Sequence, residues 1–271
     1  IVETAMVGRK GTVKELISVD DFSIRITVVC LLVAELGVTA ASQPLRETNG
    51  AHTPANDCAA LDERLIKSPS VAVNQANIAA AHMADLAMQS LRLSFEGFVT
   101  QDEGKKEQVD ALNARVFEME KRIVAYLIKI SSQDISLSDE KLISAIHHAT
   151  GDIIRIGELS DNITKYTRNC RRDGIDFSKG VIKSLQEMFG KIDTLYQRAM
   201  DVFDKKDVTA IKAVDSVEEE IDAARKSMVK DHIRRLNEGK CKPASSGVFI
   251  NLVGNLERAA DHINYMAHAF D

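Results

Sequence analysis

From about residue 70 to its end, this chain carries apolar residues that recur three and four positions apart. The clearest run is Val109, Leu112, Val116, Met119, Ile123, Tyr126 and Ile130, a spacing that lays one apolar stripe along a helix and needs other helices to cover it. Similar runs predict helices over 70–100, 105–132, 138–171, 177–204, 207–238 and 247–270. No proline falls between Pro69 and Pro243, as long uninterrupted helices require. Ser68-Pro69 offers a cap and a first-turn proline for the first helix, and Ser136-Leu137-Ser138-Asp139 a capping-box-like start for the third. Gly104, Gly174 and Gly239 sit in the breaks. Connections this short make successive helices antiparallel, so the class is all-α.

An internal repeat selects the architecture. Gly151-x3-Arg155 returns as Gly254-x3-Arg258 at an offset of 103, Asp110 returns as Asp222 at 112, and Asp85 and Phe95 return as Asp193 and Phe203 at 108. Helices one to three therefore correspond to helices four to six. The expectation is two tandem antiparallel three-helix bundles, over 58–174 and 175–271, preceded by a poorly defined segment over 1–57. Within that segment, Pro44, Asn49-Gly50, Pro54 and Asn56 read as a linker over 42–58. The most apolar stretch, 26–34, is about half the roughly 20 residues a membrane span needs, and Glu35 interrupts it. It reads as a short buried element, a remnant of a membrane region, or a loose likeness of a secretion signal with Arg25 and Thr39-Ala40-Ala41. The first residue is Ile1, which suggests a fragment or a processed product.

Composition narrows the partners. A net charge of -5 and a pI near 5.9 lack the basic footprint of a phosphate-backbone binder, so nucleic acid is not an expected partner. Cys30, Cys58, Cys170 and Cys241 are scattered with no C-x-x-C pair, which points to free thiols in a reducing compartment.

The candidate chemistry lies in carboxylates. On the sixth helix the seam is Phe249, Leu252, Leu256, Ala259, Ile263, Met266 and Phe270, and Glu257, Asp261, Asn264 and His268 run one step beside it. On the fifth, Val214, Val217, Ile221, Ala224 and Met228 form the seam, with Glu218 and Asp222 on its flank. If the flanks face each other, four carboxylates converge, and unit charges about 4 Å apart repel by about 4 kcal/mol per pair at an effective dielectric near 20. Either a divalent cation held through oxygens (iron, manganese, magnesium or zinc) or neutralisation by Arg225 and Arg258 would relieve this. The bland alternative is a solvated acidic helix edge. In the first repeat the matching places hold Lys106 and Asp110, then Ile154 and Glu158, so one acid of each pair is lost and a salt bridge becomes the natural substitute. Asp85, Asp110, Glu158, Asp193 and His268 are the weaker candidates. His82, His147, His148 and His232 lack an acid three positions earlier, and no nucleotide-binding or nucleophile motif is present, so no enzyme is indicated.

These residues carry a resemblance. Arg155-Ile156-Gly157-Glu158-x3-Asn162-Ile163 and Leu256-Glu257-Arg258-x2-Asp261-His262 resemble the L-E-R-I-G-D-H-x2-N-I signature of PhoU domains, and Glu218-x3-Asp222 resembles their companion acidic motif. Leu61-Asp62-Glu63-Arg64-Leu65-Ile66, Ser68-Pro69-Ser70-Val71-Ala72 and Ala125-Tyr126-Leu127-Ile128-Lys129-Ile130-Ser131 are similar to bacterial sodium/phosphate cotransporter-related proteins, which carry such a region at their cytoplasmic C-terminus. The resemblance implies two bundles, iron- or zinc-type clusters on the acidic motifs, self-association as a homodimer, and control of phosphate uptake at the cytoplasmic face of the inner membrane. The partner implied is a membrane phosphate transporter, either the chain's own missing transmembrane region or a separate protein. Ile154, Glu158, Lys106 and Ala259-Ala260 depart from the pattern, and leave the second repeat as the better site.

Overall fold

The computed structural model describes residues 57–58, 61–205 and 208–271. Readings that fall on 1–56, the apolar stretch over 26–34 and most of the linker included, lie outside the described residues. Among the described residues there are six long helices and no strand: α1 (Pro69–Thr100), α2 (Lys105–Ser131), α3 (Leu137–Asp173), α4 (Lys179–Lys205), α5 (Ile211–Asn237) and α6 (Pro243–His268). A short 3-10 turn, Glu63–Lys67, precedes α1, and another, Val208–Ala210, leads into α5. The all-α duplicated architecture read from the sequence is what forms: α1 to α3 pack as one antiparallel bundle and α4 to α6 as a second.

Local chemistry accounts for the ends. Pro69 and Pro243 occupy first-turn positions of α1 and α6, where a missing N–H costs nothing. Pro243 is why α6 begins four residues ahead of the predicted start at 247; the periodic apolar run begins only at Val248–Phe249, and the capping signal lies before it. Conversely α5 starts at Ile211, because the preceding residues are taken up by the 3-10 turn. Ser136 caps α3, its hydroxyl accepting from the Asp139 N–H at 3.1 Å. The Asp139 carboxylate accepts in turn from Ser70 at 2.9 Å, which ties the start of α3 to the start of α1. Gly174 ends α3 at φ +60°, a left-handed turn that strains any residue with a Cβ.

Most positions of the seams identified in the sequence are core, while Leu112, Ala224, Met228 and Phe270 are partly buried. In α6, Phe249, Leu252, Leu256, Ala259, Ile263 and Met266 are at most 1% exposed, and Val214 and Ile221 of α5 are fully covered. Helix α1 is buried on several sides, with Ala72, Ala76, Ala80, Ala84 and Ala87 inaccessible; small side chains let its neighbours approach closely. The core is continuous through both bundles. The equivalent helices α3 and α6 pack directly, with Asn255 donating to the Tyr166 hydroxyl at 3.0 Å and His262 Nδ1 lying 2.9 Å from Asp152. A line of rings adds to this: Phe98 of α1, Phe177 of the α3–α4 connection and Phe249 of α6 have centroids 5.7 and 6.2 Å apart, and His232 of α5 stacks on Phe249 at 4.5 Å.

Because the bundles share this core, they are expected to melt together. Ile156→Ala in α3, a fully buried position, should cost about 2–4 kcal/mol and lower a single calorimetric transition. Two resolved transitions, only one of them shifted, would show that the bundles unfold independently.

Candidate metal centre

The α5 and α6 seams bury against each other, and this sets the register of the polar edges beside them. The helices run antiparallel, so Asp215 meets His268 at 2.7 Å at one end, and Arg225 meets Glu257 at 3.6 Å at the other. Between them lie Glu218, Asp222 and Asp261, half-buried like Glu257. The flanks predicted to face each other do so, and the four principal carboxylates share one region of negative potential.

Their protonation behaviour shows the crowding. Burial pushes Glu218 above its ordinary range, and Asp222, Asp261, Glu219 and Glu257 push it further. Glu257 is raised by burial and then by Asp261, with Arg225 opposing. Asp261 is raised by burial and by Asp222, against His262, Arg225 and Arg258. Asp222 alone is lowered, chiefly by the Lys226 ammonium at 2.7 Å, and it is close enough to Glu257 to accept that group's proton.

Two polar atoms on this edge are buried without a hydrogen-bond partner, Arg225 Nε and Asn264 Oδ1. Among the described residues no three carboxylate, imidazole or thiol groups are gathered around one point as the side chains stand. The donor set nonetheless suits a hard or borderline divalent ion: carboxylate oxygens, an orphaned amide oxygen and excess negative charge. Both alternatives read from the sequence are therefore visible at one site, an oxygen-rich acid edge and an arginine that neutralises part of it.

The weaker candidates are placed differently. Lys106 spans to both Asp110 oxygens at 2.7 Å and to Asp161 at 3.6 Å, and Lys165 holds Asp161 at 2.8 Å. Glu158 turns to Arg155 at 2.6 Å along its own helix. The first bundle has thus replaced the acid edge with internal ion pairs, beside an open cleft of about 600 Å³ lined by Asp110, Asn113, Phe117, Ile154 and Glu158. Asp85 accepts from the Tyr196 hydroxyl at 2.7 Å, and Asp193 pairs with Arg92 at 2.7 Å. These equivalent aspartates fasten α1 to α4 and lie apart from the acid edge. Asp215, the partner of His268, was not singled out in the sequence, although it stands three residues before Glu218 on the same flank.

The fold and this site define a class: duplicated three-helix-bundle proteins with an acidic edge on the second and third helices of a repeat. The chain belongs to the PhoU domain family, whose pattern it matches over residues 80–167 and 185–270, one stretch in each bundle. It is 27% identical over 189 residues to the phosphate-specific transport system accessory protein PhoU homolog 1 of Thermotoga maritima, a match covering 67% of this chain and 78% of that protein. In fold it is similar to the crystal structure of PhoU from Pseudomonas aeruginosa, with a TM-score of 0.67 at 18% identity, covering 76% of this chain and 96% of the other. It is likewise similar to the phosphate transport system regulatory protein PhoU from Streptococcus pneumoniae, with a TM-score of 0.68 at 13% identity, covering 74% and 94%.

Glu218 tests the electrostatic reading. Its folded-state pKa is raised, so its protonated form is favoured by folding, and stability is lost as pH climbs from the ordinary carboxylate range through the raised value. Glu218→Gln should therefore raise the melting temperature at pH 7 by about 1–3 °C, allowing for solvent screening of a half-exposed group. The gain should vanish near pH 4, which is about the unperturbed glutamate pKa; an equal gain at both pH values would remove charge repulsion as its cause.

Proposed function

We propose that this chain is a non-enzymatic PhoU-type regulator of phosphate transport, acting at the cytoplasmic face on a membrane phosphate transporter, and that its α5–α6 edge binds a divalent cation. The observation that carries the cation assignment is that Glu218 and Asp222 of α5 lie along the same packed edge as Glu257 and Asp261 of α6, between the Asp215–His268 and Arg225–Glu257 contacts, with three of the four acids held above their ordinary range by burial and one another. Membership of the family supports the regulatory role, as does the similarity to the phosphate-specific transport system accessory protein of Thermotoga maritima and the phosphate transport system regulatory protein of Streptococcus pneumoniae. Among the described residues no helix is long and apolar enough to cross a membrane, so on this reading translocation belongs to a partner or to another part of the protein.

Glu218, Asp222, Glu257 and Asp261 would hold the ion, with Asn264 completing the edge. Iron, zinc, manganese and magnesium are each compatible with oxygen donors. When bound, the ion would supply charge compensation and cross-link α5 to α6. On this reading the protein residues do the structural work: they hold a repulsion between two helices that Arg225 and Lys226 relieve in part and a bound ion would relieve further, so occupancy alters how firmly that face of the second bundle is held.

Attachment to a transporter has its own support. The two segments that resemble sodium/phosphate cotransporter-related proteins pack together here: the Tyr126 hydroxyl donates to the Asp62 carbonyl at 2.9 Å, and Lys129 pairs with Glu63. A free-standing regulator is supported equally by the Thermotoga maritima protein, most of whose length the chain matches. A metal-free docking or dimerisation module is the reading favoured by the Lys226–Asp222 and Arg225–Glu257 pairs.

Elemental analysis of purified protein, with melting measured before and after chelation, separates these. Bound iron, zinc or manganese that is lost in Glu257→Ala and Asp261→Ala, with a chelator-sensitive melting point, is the expected result. Protein that holds no ion, and melts identically with and without chelator, would leave the docking module. For the regulatory role, deletion of the chain should alter phosphate uptake by intact cells; unchanged uptake across limiting and replete phosphate would reject it.

A further inference from the structure

Arg225 stands beside the acids of the α5–α6 edge. Its side chain, 38% exposed, reaches from α5 toward α6, with Nε 3.6 Å from Glu257 Oε1. That Nε is buried and donates no hydrogen bond. The positive charge acts on Asp222, Glu257 and Asp261 together. A side chain built for bidentate carboxylate pairing is thus held amid three acids without a good hydrogen bond to the nearest of them, the mark of a counter-charge rather than a clamp.

The repeat offers an internal comparison. At the 112-residue offset that relates Asp110 to Asp222, Arg225 corresponds to Asn113. Asn113 is neutral and is fully used in packing: it accepts from Ser90 at 2.7 Å and donates to the Gly157 carbonyl at 3.0 Å, closing α2 on α3. In the first bundle the cation among the acids comes instead from Lys106, at the position corresponding to Glu218. Each bundle therefore brings its own cations to the edge, Lys106 and Lys165 in the first and Arg225 and Lys226 in the second, and only the second keeps all four acids beside them.

We propose that Arg225 is the resident cation of the α5–α6 edge, a built-in competitor that has to leave the acids for a divalent ion to take its place. Ion uptake and release of the Arg225 side chain are then a single exchange, and the arginine sets the ion concentration at which the edge switches. The exchange also frees the half-exposed guanidinium from Glu257, so that it projects from α5, where a partner would meet it. This rests on the edge being a cation site, as proposed above.

The test is calorimetric titration of the full chain with Zn²⁺, comparing wild type, Arg225→Gln and Arg225→Lys, with Glu257→Ala as the control for binding elsewhere. Arg225→Gln should bind about tenfold more tightly than wild type, since a partly screened competing charge is removed, and should melt lower than wild type without ion. Arg225→Lys should stay near wild type. In ¹⁵N-labelled wild type, the Arg225 Nε–H signal should move when Zn²⁺ is added, a readout that does not depend on any variant folding. Equal or weaker binding by Arg225→Gln, or an unmoved arginine signal while Zn²⁺ binds, overturns the competitor role and leaves the cation site intact. No binding by wild type or Arg225→Gln overturns both.

Discussion

Burial of the α5 and α6 seams is the constraint on which the acid edge depends. Val214, Ile221, Leu252, Leu256 and Ile263 have no exposed surface, and each such side chain contributes about 1.5–3 kcal/mol by leaving water. Repulsion among half-exposed carboxylates is screened to about 1 kcal/mol or less per pair. The apolar term wins, and the acids are pressed together because their positions one step from the seam leave them nowhere else to go. The crowding is a by-product of packing that the protein tolerates, with Arg225 and Lys226 taking up part of the charge.

The two halves show how the same constraint can be met in different ways. Both bundles place a polar edge beside the seam of their second and third helices, yet only the second retains acids at all four principal positions. In the first, a lysine stands where Glu218 stands in the second, an isoleucine replaces the acid corresponding to Glu257, and Asp161 takes the place of Asn264. Opposite charges then pair along and between the helices, and no excess remains. Duplication supplied two similar frames, and substitution at a few edge positions made one self-neutralised and the other dependent on a counter-charge.

Much of this was legible in the chain itself. Three-and-four spacing located the helices to within a few residues, and the offsets of 103, 108 and 112 gave the duplication, because helix packing depends on where apolar residues fall and little else. The facing of Glu218 and Asp222 toward Glu257 and Asp261 was readable because each pair lies a fixed step from a seam. What could not be read was anything depending on rotamers or on contacts between distant helices. Asp85 and Asp193, read from the sequence as repeat markers and weaker metal candidates, fasten α1 to α4, through Tyr196 and Arg92 over a hundred positions away in sequence. Asp215 gained its meaning only from His268, and the reach of Arg225 to Glu257 on α6 is a matter of side-chain direction, which spacing does not encode.

Asp57 offers a last consequence. Its carboxylate is gripped by Arg115 of α2 at 2.5 and 2.8 Å, with His82 of α1 at 3.4 Å, and the adjacent Cys58 is buried. Mechanical tension arriving through the polypeptide ahead of Asp57 would be borne by this three-way clasp and by the Tyr126–Asp62 and Lys129–Glu63 contacts just after it. The load path ends in the first bundle and, because the core is continuous, is shared from there with the second.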